Sequence, residues 1–492
     1  MGLQGLIHNF VAKDPIAATV NVNSFGRREI YQNRWNQGPN LGAMFVGEKW
    51  IDDRLYENAT GDSELDAISS LCKKHDPATV KKILNERWDS FMTEEDWKYL
   101  SSKGVTGVRL PIGYWNIGAK YCRGTPFESY ADMYEGSWER IKYLIGSANK
   151  FEIGVLICIH AVPGGANTSS HSGTNSGDAE FWHSSKFRDH AMDMYLFIIS
   201  QVGEMENVIG LELLNEPDNH NPKLKNFYAD AIRQIRKENQ TLPIVISDAW
   251  DLESWRETVR EWDRQVSRKD KPATVGVIID THVYRMFSDS DKRKSAQQHV
   301  DEADQGVTRD DSVDVIVGEY SCVLSEESWS QGGNRDELET QYGQRQFKTF
   351  ETNARAGAFF WTYKFLQGPG GGWDFRCMIE KSAIPSISHD VDPNKPQLKE
   401  ALDQAFTAHK GYWDSQGASE LEHWRFEDGF TQGFEDARRF AEFNGSRLGR
   451  IAAWKTVRLE EHVAHKGYSE MLWIYDQAFV QGVNAFNELL YS

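Results

Sequence analysis

The chain is short of cysteine, and its few cysteines suggest no framework. Five of them, Cys72, Cys122, Cys158, Cys322 and Cys377, are spread over 492 residues. The number is odd and no two stand at metal-knuckle spacing, so neither a disulfide scaffold nor a zinc site is expected. Long apolar runs are missing too. No stretch approaches 18 apolar residues, which excludes a spanning helix. Positive charge is in deficit: 55 Lys and Arg against 73 Asp and Glu give a net charge of −18. Such a chain repels nucleic-acid backbones and anionic membranes, so neither is expected as a partner. The opening Met1–Asn9 has no basic or apolar segment of a secretion signal. Leu6 stands where N-myristoylation needs Ser or Thr. Reduced thiols and a cytoplasmic location are the expectation.

What is present is ordinary for a globular protein: 40% hydrophobic and 26% charged residues. From about residue 40, eight short apolar runs recur: 44–48, 106–112, 153–161, 208–216, 243–248, 275–284, 314–321 and 357–364. Most are continuously apolar, as expected of parallel strands covered on both faces. Amphipathic segments at 93–102, 138–150, 223–237 and 336–354 separate several of them. Eight strand–helix alternations predict an α/β fold, a (β/α)8 TIM barrel. The reading divides the chain into a lead-in (1–34), the barrel (35–400) and a helical, aromatic-rich extension (401–492). Residues 51–90 read as a polar, partly helical insertion and 286–312 as a long solvated loop. The extension carries an imperfect duplication. Ala408–Tyr412 matches Ala464–Tyr468, and Trp424, Phe430 and Gly433 match Trp473, Phe479 and Gly482. Paired amphipathic helices with packed aromatic faces are expected there; a sugar- or partner-binding module is the alternative.

Polar residues stand at or just past the end of each apolar run: Glu48, Arg109, His160, Asn215 with Glu216, Asp248, His282 with Tyr284, Glu319 and Trp361. In a barrel those ends converge on one face, where active sites are built. Two runs end alike, in Asn215-Glu216-Pro217 and in Gly318-Glu319-Tyr320. As strands four and seven they would set two carboxylates across the barrel mouth. Glycosidic cleavage needs such a pair, one to protonate the leaving oxygen and one to attack the anomeric carbon.

These segments resemble glycoside hydrolase family 5, and within it the fungal exo-β-1,3-glucanases (glucan 1,3-β-glucosidases). The resemblance rests on Leu213–Pro217 and Val317–Ser321, joined by Asn40-Leu41-Gly42 with Glu48 and Trp50, Phe91–Trp97, Val108–Trp115 and Phe360–Lys364. It covers about 35–400. It implies a retaining, exo-acting β-glucosidase with no cofactor and no metal, acting on a β-glucoside or oligosaccharide. By the same resemblance Glu216 is the acid/base and Glu319 the nucleophile. Arg109, Asn215, His282 and Tyr284 support the pair. His160, Trp361 and Glu48 line the first sugar site. Trp373, in the glycine-rich loop 368–373, is read as a rim residue.

One departure stands out. Ser170 occupies the place of an acidic residue that, in the relatives, grips the terminal sugar. A hydroxyl binds less tightly than a carboxylate. An intracellular lipid- or aglycone-linked glucoside, or a catalytically weak sugar-binding barrel, is therefore an alternative. His171, His183 and His190 are not spaced as metal ligands.

Overall fold

The computed structural model describes residues 15–417 and 420–491. Met1–Asn9, read above for export and lipidation, lies outside the described residues. Eight strands form the centre: β1 (Asn36–Pro39), β2 (Gly107–Gly113), β3 (Gly154–Ala161), β4 (Val208–Glu212), β5 (Ile244–Ser247), β6 (Val277–Arg285), β7 (Asp314–Leu324) and β8 (Gly357–Phe360). All pairings are parallel, in the order β1-β8-β7-β6-β5-β4-β3-β2. The ring closes between β1 and β2, where Thr106 N–H donates to Gln37 O (2.9 Å) and Leu41 N–H to Arg109 O (2.8 Å). The (β/α)8 reading holds.

Helices cover the strands: α1 (Glu94–Ser102), α2 (Ser137–Asn149), α3 (Ser185–Val202), α4 (Leu224–Glu238), α5 (Leu252–Val266) and α6 (Arg335–Asn353). Helix α1 starts where Thr93 and Asp96 form a reciprocal capping box. Helix α4 buries Leu224, Phe227, Tyr228, Ala231, Ile232 and Ile235, the spacing of one helical face. Each fully buried Leu, Ile or Phe among them stabilises the fold by about 1.5–3 kcal/mol.

Two expectations are corrected. The first strand is Asn36–Pro39, not 44–48. Its residues are mostly polar and only four long, so no apolar run marks it; Met44, Phe45 and Val46 are buried in the loop that follows. Residues 286–312 are not a solvated loop throughout. Short helices at Asp289–Lys292 and Ala296–Asp301 occupy it. Ala296, Val300 and Ala303 pack with Leu324, Trp329, Leu338 and Tyr342, so apolar residues among the charges anchor it.

Beyond the barrel lie α7 (Leu398–Ser415), α8 (Trp424–Ala441), α9 (Ile451–Lys466) and α10 (Leu472–Tyr491). The duplicated segments fall on α7–α8 and α9–α10. Phe426, Phe430, Phe434, Phe440, Trp454, Phe479 and Phe486 form a second core, which also takes Val20, Val22 and Ile30 from the lead-in. The matched glycines set the closest approach. A Cβ on Gly433 would lie 2.0 Å from Phe479 O, and one on Gly482 2.1 Å from Phe430 O. The assembly docks on the barrel through Asp314, whose carboxylate accepts from Ala452 N–H (2.9 Å) and Ala453 N–H (3.2 Å) at the start of α9. An acid there matches the helix dipole. Gly433→Val should therefore force α8 and α10 apart and cost about 3 kcal/mol. Thermal denaturation should show a lower midpoint, and an unchanged one would reject the contact.

Candidate active site

Arg109 on β2 organises the centre of the barrel mouth. It is fully buried, and each of its five N–H donors has an acceptor. Nε and Nη2 donate to the two oxygens of Glu212 on β4, both at 2.7 Å. Nη1 donates to Asn40 Oδ1 and to Glu319 Oε1, both at 2.9 Å. Nη2 also donates to Asn215 Oδ1 at 2.8 Å. One guanidinium thus ties together residues on or just past β1, β4 and β7.

Glu319 lies within β7. Its second oxygen accepts from Tyr284 Oη at 2.8 Å. The residue before it is glycine for a steric reason. A Cβ on Gly318 would sit 2.0 Å from the Asp280 carboxylate, which accepts the Gly318 N–H at 2.5 Å.

Glu216 is not on the tip of β4 but four residues past its end at Glu212. Its backbone is left-handed, with φ of 42°, a conformation that costs a non-glycine residue free energy. Asn167 Nδ2 holds it there by donating to Glu216 O at 2.8 Å. The side chain turns back into the mouth, where Glu216 Oε1 meets His282 Nδ1 at 2.7 Å. One carboxylate oxygen of Glu216 and one of Glu319 lie within 4.8 Å of each other.

His282 sits between these acids. Its Nδ1 is also 3.5 Å from Glu319, and its Nε2 is 3.3 Å from Asp280 Oδ2. Burial alone would lower its pKa, but the surrounding carboxylates Glu319, Asp280 and Glu216 outweigh that and raise it well above the usual imidazole value. Burial pushes Glu216 up, yet the hydrogen bond and charge of His282, joined by His171 and Arg109, bring its carboxyl down to about 2. Glu319 moves up: burial and the nearby Glu216 charge exceed the pull of His282 and Arg109. Burial also raises Glu48 to about 8, despite the hydrogen bond from Trp50.

The other anticipated residues converge on the same mouth. His160 is buried and parallel to Trp361, with ring centroids 5.6 Å apart and 9° between planes. Burial holds its imidazole neutral. His160 Nε2, Asn215 Nδ2 and Glu48 Oε1 are buried polar atoms without a protein partner. Three unpaired groups in one mouth are costly unless a polar ligand engages them. Trp373 packs on Tyr284 (5.6 Å) and on Trp50 (5.3 Å) at the rim.

Four residues escaped the sequence reading as parts of this site. Glu212 and Asn40 complete the Arg109 fork. Asp280 shares a face of β6 with His282 and Tyr284, at i, i+2 and i+4, a spacing visible in the sequence. His171, set aside as a metal ligand, has its Nε2 3.5 Å from Glu216 Oε2. Two triplets, Glu212/Asp280/His282 and Glu216/His282/Glu319, are close enough to hold an ion. Their oxygens already accept from Arg109, Tyr284 and Gly318, and Arg109 would repel a cation.

Comparison with known proteins identifies the family. The model of the cellulase family, glycosyl hydrolase family 5, matches residues 73–366. That of the glucan 1,3-beta-glucosidase 3 C-terminal domain matches 394–490. The chain is 37% identical to an uncharacterized glycosyl hydrolase of Saccharomyces cerevisiae, over 94% of this chain and 93% of the relative. It is 34% identical to glucan 1,3-beta-glucosidase 3 of Schizosaccharomyces pombe, over 88% and 92%. The crystal structure of rutinosidase from Aspergillus niger has the same fold, with a TM-score of 0.55 and 18% identity over 72% of this chain and 98% of that one. The chain is a glycosidase and belongs to glycosyl hydrolase family 5.

Proposed function

We propose that the protein hydrolyses terminal β-D-glucosidic bonds with retention of configuration, by double displacement through a covalent glucosyl-enzyme. The observation that carries this reading is the separation of Glu216 and Glu319, whose nearest oxygens lie within 4.8 Å. Retaining enzymes bring the two carboxyl groups to about 5–5.5 Å, whereas inverting ones leave about 6.5–9.5 Å for a water. The name of the Schizosaccharomyces pombe relative supports a β-1,3-linked glucan as one substrate.

In this reading Glu319 attacks the anomeric carbon. Arg109 and Tyr284 each hold one of its oxygens and stabilise the ionised form. Glu216 protonates the leaving oxygen and later activates water. His282 Nδ1, 2.7 Å from Glu216 Oε1, orients the Glu216 carboxyl toward the leaving oxygen. Asn215 Nδ2 and His160 Nε2, without protein partners, bond sugar hydroxyls, and Trp361 offers an apolar surface to the ring.

A second reading concerns the leaving group. Trp250 is 50% exposed and meets His282 edge-on at 5.9 Å. Phe287 is 62% exposed beside Tyr284. Aromatics at that rim favour a planar or apolar aglycone, as in lipid- or aglycone-linked glucosides. Five unpaired cysteines support action in the reducing cytosol.

Glu319→Gln should lower kcat on 4-nitrophenyl β-glucoside by more than about 10³-fold; undiminished turnover would remove the nucleophile from Glu319. Glu216→Gln should slow unactivated glucosides by about 10²–10⁴-fold and 2,4-dinitrophenyl β-glucoside far less, and equal losses would contradict the acid/base role. Glu48 is neutral below pH 8 and gains charge beside Glu319 as the pH rises through about 8. The pH profile of kcat/KM should therefore fall with a midpoint near 8. Glu48→Gln, neutral at every pH, should lose that alkaline limb at a lower plateau. Retention of the limb would place its titration elsewhere.

A further inference from the structure

The insertion 51–90 packs against the loop that carries Glu48. Residues 41–48 are all buried. Side chains from three elements reach their backbone or line up behind it: the helices Glu64–Lys74 and Pro77–Phe91, and the short helix Glu128–Tyr134. Glu64 is the first residue of its helix, whose start is fixed by a reciprocal capping box between Ser63 and Asp66. It is 1% exposed. One of its carboxylate oxygens accepts from the N–H of Gly47, the residue before Glu48. The other accepts from Tyr134 Oη at 2.8 Å. Arg87, also buried, donates to Ala43 O, and its Nε stands 3.4 Å from Asp52 Oδ2. Gly47 has no room for a side chain. A Cβ there would lie 2.2 Å from Glu64 Oε2 and 2.8 Å from Tyr56 Oη.

Packing alone does not call for an acid at this place. Apolar side chains of similar volume often serve as well as buried charges. They would, however, leave the buried Gly47 N–H without an acceptor. The next residue gains most from that acceptor. Among the described residues the Glu48 carboxyl has one hydrogen-bond donor, Trp50 Nε1 at 3.0 Å, and the Trp50 side chain is itself 49% exposed. Glu48 Oε1 is buried and has no protein partner. The place of this carboxyl in the mouth is therefore set by its backbone, which Glu64 holds on one side. On the other side Glu48 O accepts from Ile51 N–H and Asp52 N–H, both at 3.0 Å.

We propose that Glu64 is a positioning residue for Glu48: through the Gly47 N–H it sets where Glu48 stands, and hence how tightly the glucosyl unit is held. The inference rests on the glucosidase reading above, with Glu48 lining the first sugar site. Reach matters here more than charge. Gln at position 64 keeps an acceptor oxygen at the same reach, and the Tyr134 hydroxyl can turn to accept from its amide. Asp keeps the charge but draws its oxygens back by one methylene.

The test measures hydrolysis of 4-nitrophenyl β-glucoside. Glu64→Asp and Gly47→Ala should each raise KM about tenfold or more and change kcat less than about threefold, as when ground-state binding is lost. Glu64→Gln should stay within about threefold of the unaltered enzyme in both. Calorimetry with glucose on Glu319→Gln supplies a cycle. Adding Glu64→Asp should weaken glucose about tenfold, but should have no further effect once Glu48→Gln is present, because the effect passes through Glu48. An unchanged KM in both Glu64→Asp and Gly47→Ala overturns the proposal, as does an equal loss of glucose affinity with and without Glu48→Gln. Hydrogen exchange followed by mass spectrometry reads the anchor without activity. Peptides spanning 43–50 should exchange faster in Glu64→Asp than in the unaltered protein or Glu64→Gln, and equal rates reject the anchor. If the unaltered protein turns over no β-glucoside, the glucosidase reading fails, and exchange and glucose binding still decide the role of Glu64.

Discussion

A buried guanidinium needs an acceptor for every donor, and Arg109 has five acceptors for five. Leaving a buried charge unpaired would be strongly destabilising, so the fork fixes where its partners stand. Asn40, Glu212, Asn215 and Glu319 reach it from positions on or just past β1, β4 and β7. Glu319 is thereby aimed, and Asn215 has its carbonyl oxygen occupied while its amide nitrogen stays available to a ligand. The closed barrel makes this possible, because only a ring brings these strands around one side chain.

Around that fork the site behaves as one proton-sharing set. Asp280, His282, Glu216 and Glu319 lie in a chain of contacts of 2.7 to 3.5 Å. His282, Glu216 and Glu319 are close enough to titrate together, and their protonation belongs to the three as a set. With the proton on His282, Glu216 is ionised and Glu319 is pressed upward by burial. Asp280 and Gly318 keep His282 in place between the two glutamates, a reason for glycine to precede Glu319.

Much of this was legible in the sequence, for identifiable reasons. Strands β2 to β8 announce themselves as apolar runs because both faces of a parallel barrel strand are buried. β1 did not, because its four residues Asn36–Pro39 are mostly polar and their fit depends on neighbours distant in the chain. Arg109, His282, Tyr284 and Glu319 stood out as polar residues ending apolar stretches. Glu212 stayed hidden because an acid inside an apolar run carries no local sign of its partner, 103 residues away. Asp280 had a local sign, the i, i+2, i+4 spacing on β6. His171 had none, since only the fold of the loop after β3 brings it to Glu216. The left-handed backbone of Glu216 was equally invisible.

The duplicated helices α7–α10 form their own aromatic core and lean on the start of β7 through Asp314, at the end of the barrel away from the mouth. They contact the strand that carries Glu319 at its far end. The central claim, that Glu319 forms a covalent bond to the sugar while Glu216 serves as acid and base, has one direct measurement. The protein is incubated with a 2-deoxy-2-fluoro-β-glucosyl fluoride, and the digested product is mapped by mass spectrometry. A single fluoroglucosyl adduct on the peptide containing Glu319 is the predicted result. An adduct on Glu216, or turnover with an inverted anomeric product and no adduct at all, would contradict it.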